Sequence, residues 1–190
     1  MSVKGTLTEK NLLASFAGES QARTRYTFFA SQAKKEGYEQ IAAIFLETAD
    51  NEKEHAKRFF SFLEGGDVEI TASYPAGVIG NTLENLKAAA EGEHLEHTVL
   101  YPKAAEIAEK EGFPEIANLF RNVAKVEIAH EIRYRKLLTN LQTNEVFKKT
   151  VKTIWKCRNC GYLHEGNEAP SVCPTCLHPQ AYYELFTEPY

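Results

Sequence analysis

Cysteine is missing from the first 156 residues of this 190-residue chain, and all four cysteines fall between Cys157 and Cys176. A disulfide-stapled secreted fold spreads its cysteines, so the clustering speaks for a reducing, cytoplasmic setting and for a metal. Long hydrophobic runs are missing too. The longest, Ile41 to Leu46, has six residues, against the roughly 20 that span a bilayer, so no membrane association is expected. The opening Met1-Ser2-Val3-Lys4-Gly5-Thr6 lacks an apolar h-region, and no secretory signal is expected. Positive charge is scarce: 22 Lys and Arg against 26 Asp and Glu leave a net charge of −4. Phosphate contact wants a cationic excess, so no nucleic-acid partner is expected. What is present, 43% hydrophobic and 25% charged residues, is ordinary for a folded globular protein.

Residues 6–141 carry helical periodicity nearly throughout. Thr6-x-x-Glu9 predicts a capping box at the start of a first helix that stops at Gly37. A second helix is expected from about Tyr38 to Glu64, ending at Gly65-Gly66. Residues 66–80 lack helical signal and are too long for a tight helix hairpin, so they read as a crossover. Asn81-x-x-Glu84 opens a third helix ending near Gly112, and Pro114 starts a fourth that reaches about Leu141. Pro102 lies inside the third helix, where a kink or bulge is expected.

An internal repeat crosses this region. Residues 35–55 and 110–130 align at an offset of 75 with nine of 21 positions identical, including Glu52/Glu127 and His55/His130. Upstream, Gly18-Glu19 matches Gly92-Glu93 at an offset of 74. Each half is therefore a helix pair, and two pairs joined by one long crossover describe an all-α, ferritin-like four-helix bundle with a pseudo-two-fold axis.

The repeat places chemistry. Glu52-x-x-His55 and Glu127-x-x-His130 each set two ligand groups on one helical face. Glu91-x-x-His94 has the same spacing but no repeat partner and reads as a chance match. Glu19 and Glu93 fall at equivalent places on the partner helices, completing a carboxylate-bridged two-metal pattern. Glu96, three after Glu93, adds a fifth carboxylate. These groups share faces with Phe45, Ala49, Phe59, Phe120, Ala124 and Leu86, so they should point inward. Five uncompensated carboxylates in a core would cost many kcal/mol, so two buried metals are expected. Oxygen with imidazole nitrogen suits iron or manganese, and zinc by affinity. Two ferrous ions, or two ferric ions with an oxo bridge, leave the same net charge against five carboxylates, which suits two-electron chemistry. Tyr26 and Tyr101 lie along the same faces, placed to donate phenol hydrogen bonds to the ligands or to a bound oxygen species.

After Asn140 the composition changes. Gln142 to Thr153 is polar and Lys-rich, read as a linker, followed by Cys157-x-x-Cys160 and Cys173-x-x-Cys176. Two CxxC knuckles wrap one tetrahedral ion, and the spacing alone leaves zinc and iron both open. About 37 residues cannot hold a core without such a staple. Trp155, Gly161-Tyr162 and Cys173-Pro174-x-Cys176 resemble a rubredoxin site. The expected division is 1–146, the bundle, and 147–190, a small metal-stapled rubredoxin-like domain.

Nearly the whole chain resembles the rubrerythrin family. The resemblance rests on Ala17-Gly18-Glu19-Ser20-Gln21-Ala22-Arg23, the two Glu-x-x-His pairs, Gly92-Glu93-x-x-Glu96 and the closing cysteine segment. It implies a cytoplasmic, dimeric non-haem iron protein that reduces hydrogen peroxide to water and protects against oxidative stress. It implies Glu19, Glu52, His55, Glu93, Glu96, Glu127 and His130 as ligands of a di-iron site, oxo-bridged when oxidised, with Glu96 and His55 exchanging on one iron as the site is reduced. Tyr26 and Tyr101 match tyrosines beside that site. Cys157, Cys160, Cys173 and Cys176 would hold one iron. The chain departs from the wider rubredoxin pattern at Leu177, where glycine usually tolerates a left-handed turn.

No Gly-rich dinucleotide fingerprint occurs, so electrons are expected from a separate donor protein, a rubredoxin or an NAD(P)H-linked reductase. His130 lies eleven residues before Leu141, about 16 Å of helix, so a chain's own tail is remote from its bundle site. A head-to-tail homodimer is the expected remedy. The alternatives are a ferroxidase or iron-storage protein, which needs a cage and no electron-input domain, and a binding protein whose tail is a zinc ribbon.

Overall fold

Thr6 caps the first helix, α1 (Leu7–Lys35), in the computed structural model, which describes residues 1–188. Its hydroxyl accepts the Glu9 N–H at 3.1 Å. The Glu9 carboxylate takes the N–H of Gly5 at 2.8 Å, while the Thr6 N–H goes to the Val3 carbonyl. The predicted capping box is therefore only half formed here, because a turn over residues 3–6 already satisfies the Thr6 amide. At Asn81, ahead of α3 (Thr82–Leu95), the box is complete, with both bonds at 2.9 Å.

Helix α2 (Glu39–Phe60) follows α1 through Gly37, and α5 (Pro114–Gln142) follows α4 (Tyr101–Lys110) through Gly112. These glycines, 75 residues apart, have φ of 82° and 83°. Each ends its helix in the left-handed conformation that glycine adopts without strain. The repeat thus folds as two hairpins, α1 along α2 and α3–α4 along α5. Residues 64–81 cross between them without helix or strand. Tyr74 Oη donates to the Ala14 carbonyl at 2.7 Å and Gln21 Nε2 to the Pro75 carbonyl at 2.6 Å, tying the crossover to α1.

Two apolar clusters fill the bundle. One takes Tyr26, Phe29, Phe45 and Ala49 from the first hairpin and Leu86, Ala90 and Tyr134 from the second. The other takes Leu12 and Phe59 from the first and Tyr101, Phe113 and Phe120 from the second. Each cluster uses opposite ends of the two hairpins, as a pseudo-two-fold axis requires. The layer between them is polar.

The third helix is not regular. Between α3 and α4 lies a π turn, Glu96–Leu100, closed by the Tyr101 N–H on the Glu96 carbonyl. The expected bulge thus sits immediately before Pro102, whose missing N–H makes an irregular turn cheap. The repeat explains it. Sixteen residues separate Glu19 from the end of α1 at Lys35, and seventeen separate Glu93 from the end of α4 at Lys110. The wide turn houses the extra residue. At about 100° per residue, Tyr26, seven after Glu19, returns to the same face. Tyr101, eight after Glu93, would miss that face by about 80° in a regular helix, and the π turn brings it back.

Beyond α5, strands β1 (Lys148–Cys157), β2 (Leu163–Glu168) and β3 (Tyr183–Leu185) form an antiparallel sheet in the order β2-β1-β3. The Lys-rich stretch read as linker is shorter than expected. Residues 148–153 already belong to β1, with Lys148 opposite Glu168 and Thr153 opposite Gly166. Lys148 and Lys152 project to solvent from an irregular pairing, while Lys149 turns back to Asn140, so composition alone reads as a linker. Trp155, Cys157, Ala169, Cys173 and Tyr183 make a small core. The last two residues of the expected second unit lie outside the described residues. The unit rests on the turn between α1 and α2, where Phe147 stacks on Tyr38 at 6.1 Å.

Candidate metal centres

Four glutamates from four helical segments meet in the polar layer. Glu19, Glu52, Glu93 and Glu127 are each at most 1% exposed, and His130 is 4% exposed. Their side chains sort into two nests. His55 Nδ1 lies 2.8 Å from Glu52 Oε2, 3.0 Å from Glu127 Oε1 and 3.7 Å from Glu19 Oε1. His130 Nδ1 lies 2.8 Å from Glu127 Oε2, 3.2 Å from Glu52 Oε1 and 3.6 Å from Glu93 Oε2. Glu52 and Glu127 therefore give one oxygen to each nest, while Glu19 and Glu93 serve one nest each.

Close as these atoms are, they do not satisfy one another. Both oxygens of Glu52 and of Glu127, Glu19 Oε2, Glu93 Oε2 and the Nδ1 atoms of both histidines are buried without a properly angled hydrogen bond among the described residues. Their lone pairs converge on common points. An orphaned buried carboxylate is costly, and a pair of divalent or trivalent cations removes that cost. The residues present fit a dinuclear metal site.

Neighbouring groups fix the orientation. Tyr26 Oη donates to Glu93 Oε1 at 2.5 Å, and Tyr101 Oη donates to Glu19 Oε1. Each tyrosine thus holds the glutamate of the other hairpin, and the π turn is what gives Tyr101 this reach. His130 Nε2 sits 3.3 Å from Asn51 Oδ1, which assigns the proton to Nε2 and leaves Nδ1 free for a metal. Sequence reasoning missed Asn51. It has no counterpart in the repeat, since position 126 is valine.

Glu96 stands differently. It is half-buried in the π turn and is not among the groups that converge. Its carboxyl lines a cavity of about 440 Å³ together with Tyr101, Arg25, Gly18 and the crossover residues Tyr74 and Pro75. Burial pushes its carboxyl well up, helped by Glu93, Glu127 and Glu52 and opposed by Arg25. Burial likewise raises Glu19 and takes Glu93 to about 8. For His55, burial pushes down, but the close carboxylates of Glu127 and Glu52 prevail and hold it at about 9. His130 rises to about 12 for the same reason.

The four cysteines form a second centre. Cys157 Sγ lies 3.7 Å from Cys176 Sγ, and Cys160 Sγ lies 3.7 Å from Cys173 Sγ. Disulfide sulfurs stand about 2.05 Å apart. Sulfurs about 2.3 Å from a tetrahedral ion stand about 3.8 Å apart, so the cysteines fit a metal. The two knuckles are built alike. The amides of Asn159 and Cys160 face Cys157, and those of Thr175 and Cys176 face Cys173. The Tyr162 amide faces Cys160, and the His178 amide holds Cys176 down at about 6.

Those last two amides are aimed by left-handed residues, Gly161 at φ 80° and Leu177 at φ 59°. Leucine thus takes the conformation that glycine was expected to supply. Its side chain is 78% exposed and offers little packing in return. Leu177→Gly is expected to stabilise the cysteine unit by about 1 kcal/mol, read as a later thermal transition of the metal-loaded protein. An earlier transition would refute the strain argument.

Similarity to known proteins agrees with both centres. Residues 10–138 match the family model described as Rubrerythrin, and residues 155–184 match that of the rubredoxin-like domain of rubrerythrin. The chain belongs to the rubrerythrin family. A rubrerythrin of Porphyromonas gingivalis is 65% identical over 183 residues, covering 96% of this chain and 92% of that one. A rubrerythrin of Clostridium perfringens is 59% identical, covering 100% and 99%. Among solved structures, fully reduced, all-ferrous nigerythrin superposes with a TM-score of 0.64 at 29% identity, covering 97% of this chain and 92% of that one. Like other rubrerythrins, the chain combines a ferritin-like di-iron bundle with a rubredoxin-like iron domain. Among the described residues, no helix is long and apolar enough to cross a membrane.

Proposed function

We propose that this rubrerythrin is a non-haem di-iron peroxidase that reduces hydrogen peroxide to water in defence against oxidative stress. The observation that carries the reading is the convergence of eight unsatisfied buried donor atoms beside two tyrosine hydroxyls, in a chain that also holds a four-sulfur electron site. Glu19 with His55 would hold one iron, Glu93 with His130 the other, and Glu52 and Glu127 would serve both. Glu96 would stand in reserve as the carboxylate that exchanges with His55.

When bound, the iron pair supplies the two electrons that break the O–O bond. The protein supplies the rest. Tyr26 and Tyr101 hold Glu93 and Glu19, so these two ligands keep their place during turnover while Glu96 and His55 exchange. Peroxide needs two protons to leave as two waters. Glu96, raised and lining the 440 Å³ cavity, is placed to carry them from solvent. The apolar clusters above and below exclude other water.

The mixing test is direct. The protein is reduced anaerobically, one equivalent of peroxide is added, and the visible bands of both centres are followed. Rapid reoxidation of the di-iron site with water as product supports the reading. A site that stays reduced, or that forms a mineral core instead, refutes it.

Electrons enter at the cysteine unit from a separate donor, a rubredoxin or an NAD(P)H-linked reductase. That unit contacts the turn at Gly37 and Tyr38. Tyr38 lies fourteen residues before Glu52 on α2, about 21 Å of helix. We propose that a head-to-tail homodimer sets one subunit's cysteine unit beside the other's bundle. Dilution to monomer is then expected to slow steady-state peroxide reduction while leaving the single-turnover reaction of pre-reduced protein unchanged. Equal specific activity in monomer and dimer would exclude delivery between subunits.

A further inference from the structure

Outside the two centres, a third cluster of ligand-type side chains lies on the outer face of the α3–α5 pair. His94 lies in the last turn of α3, His97 sits within the π turn, and Glu131 lies on α5. Each follows directly on a residue of the dinuclear neighbourhood, Glu93, Glu96 and His130, and turns the opposite way. His94 Nδ1 lies 3.2 Å from the Glu131 carboxylate, and His97 Nε2 lies 2.5 Å from it. The two rings stand at 86° to each other with centroids 5.3 Å apart. One ligand atom from each of the three residues falls within 4.8 Å of the others.

We propose that His94, His97 and Glu131 form a third metal site, which takes a single divalent cation of the zinc or ferrous class. Two imidazole nitrogens and one carboxylate oxygen match such borderline ions and disfavour calcium or magnesium, which want oxygen throughout. Cations of this class bind nitrogen and oxygen at about 2.0–2.2 Å, which sets neighbouring ligand atoms roughly 3.0–3.5 Å apart. The 3.2 Å spacing already lies in that window. The 2.5 Å contact opens by roughly half an ångström as an ion enters between the two groups.

Burial is graded to suit. The side chains of His97 and Glu131 are 14% and 12% exposed, whereas that of His94 is 54% exposed. Two ligands are thus held while the third swings in from solvent, and water completes the coordination. Arg135 Nε donates to Glu131 Oε1 at 2.6 Å, the kind of outer partner that orients a ligating carboxylate. The cluster is separate from the reserve carboxylate: Glu96 lines the cavity, and His97 points to Glu131.

The test uses the full chain with both iron centres loaded, equilibrated with zinc alone and assayed for bound zinc, retained iron and the visible bands. Wild type is expected to bind one further equivalent of zinc with iron content and bands unchanged. His94→Ala, an exposed position that does not threaten folding, should weaken this uptake at least about tenfold. His97→Ala should abolish it, with the iron centres and peroxide turnover retained. No extra zinc in wild type, zinc entering only as iron leaves, or uptake equal in wild type and both variants would each overturn the third site. None of these outcomes depends on the peroxidase reading, which stands or falls on the mixing test.

Discussion

Glu127→Ala is expected to empty both iron positions of the bundle and to lower peroxide turnover by about 100-fold or more. Glu127 is the group on which both nests depend. Its Oε1 lies 3.0 Å from His55 Nδ1 and its Oε2 lies 2.8 Å from His130 Nδ1. Removing Glu19 or Glu93 would strip one nest of one oxygen, but removing Glu127 takes an oxygen from each. Glu52 alone would then span the pair. The cysteine unit has its own core of Trp155, Ala169 and Tyr183, so its iron and its visible bands should persist. Iron content against band intensity separates the outcomes. A variant that keeps full bundle iron and turnover would show that Glu127 is not a ligand to both.

Stripped of metal, the protein is expected to lose stability as pH rises, by roughly 3 kcal/mol or more between pH 5 and pH 8. The folded chain holds Glu19 and Glu96 well above the ordinary carboxylate range and Glu93 at about 8, chiefly through burial. Such groups cost nothing below pH 4.5, where folded and unfolded chains are both protonated. Above that, the unfolded chain gives up protons that the folded chain keeps, and the folded state loses ground up to about pH 8. The histidines act in the same direction. With folded values of about 9 for His55 and about 12 for His130, they add stability below the unfolded value of 6.5 and lose it as pH climbs through their folded values. Glu127, which its two histidine neighbours hold down against burial, opposes the trend, but it is one group against five. Iron displaces these protons and binds more tightly as they leave. The loaded protein should therefore hold its stability over the same interval. Urea unfolding of stripped and loaded protein at both pH values checks this. A stripped protein as stable at pH 8 as at pH 5 would show that the glutamates are not buried together without metal.

Much of this site could be read in the residues because it is written twice. Glu52-x-x-His55 and Glu127-x-x-His130 recur in register, and a helical face carrying Phe45 and Ala49 beside a glutamate has only the core to point into. The cysteine knuckles were equally plain, since their spacing is local. What escaped was set by contacts distant in sequence or by irregular backbone. Asn51 matters through His130, on another helix. His94 looked like the tail of a chance Glu91 pair, yet Glu91 faces Lys87 at 3.9 Å on the surface while His94 turns to Glu131. Glu96 was expected to point with Glu93, as residues three apart do in a regular α-helix. The π turn begins at Glu96, and the carboxyl stands aside from the nests. Lys148 to Thr153 reads as linker because lysines at 148, 149 and 152 mask a strand's alternation.

The odd residue absorbed at Glu96–Leu100 makes the two halves unequal where they matter most. The first half places Ala22 three positions after Glu19, and the second places Glu96 three positions after Glu93. An extra carboxyl thus flanks one side of the pair, adding to the asymmetry that Asn51 gives His130. Two ions in unlike electrostatic surroundings do not share one affinity or one reduction potential. They should load, empty and change oxidation state in sequence, so that a half-oxidised pair becomes a discrete species.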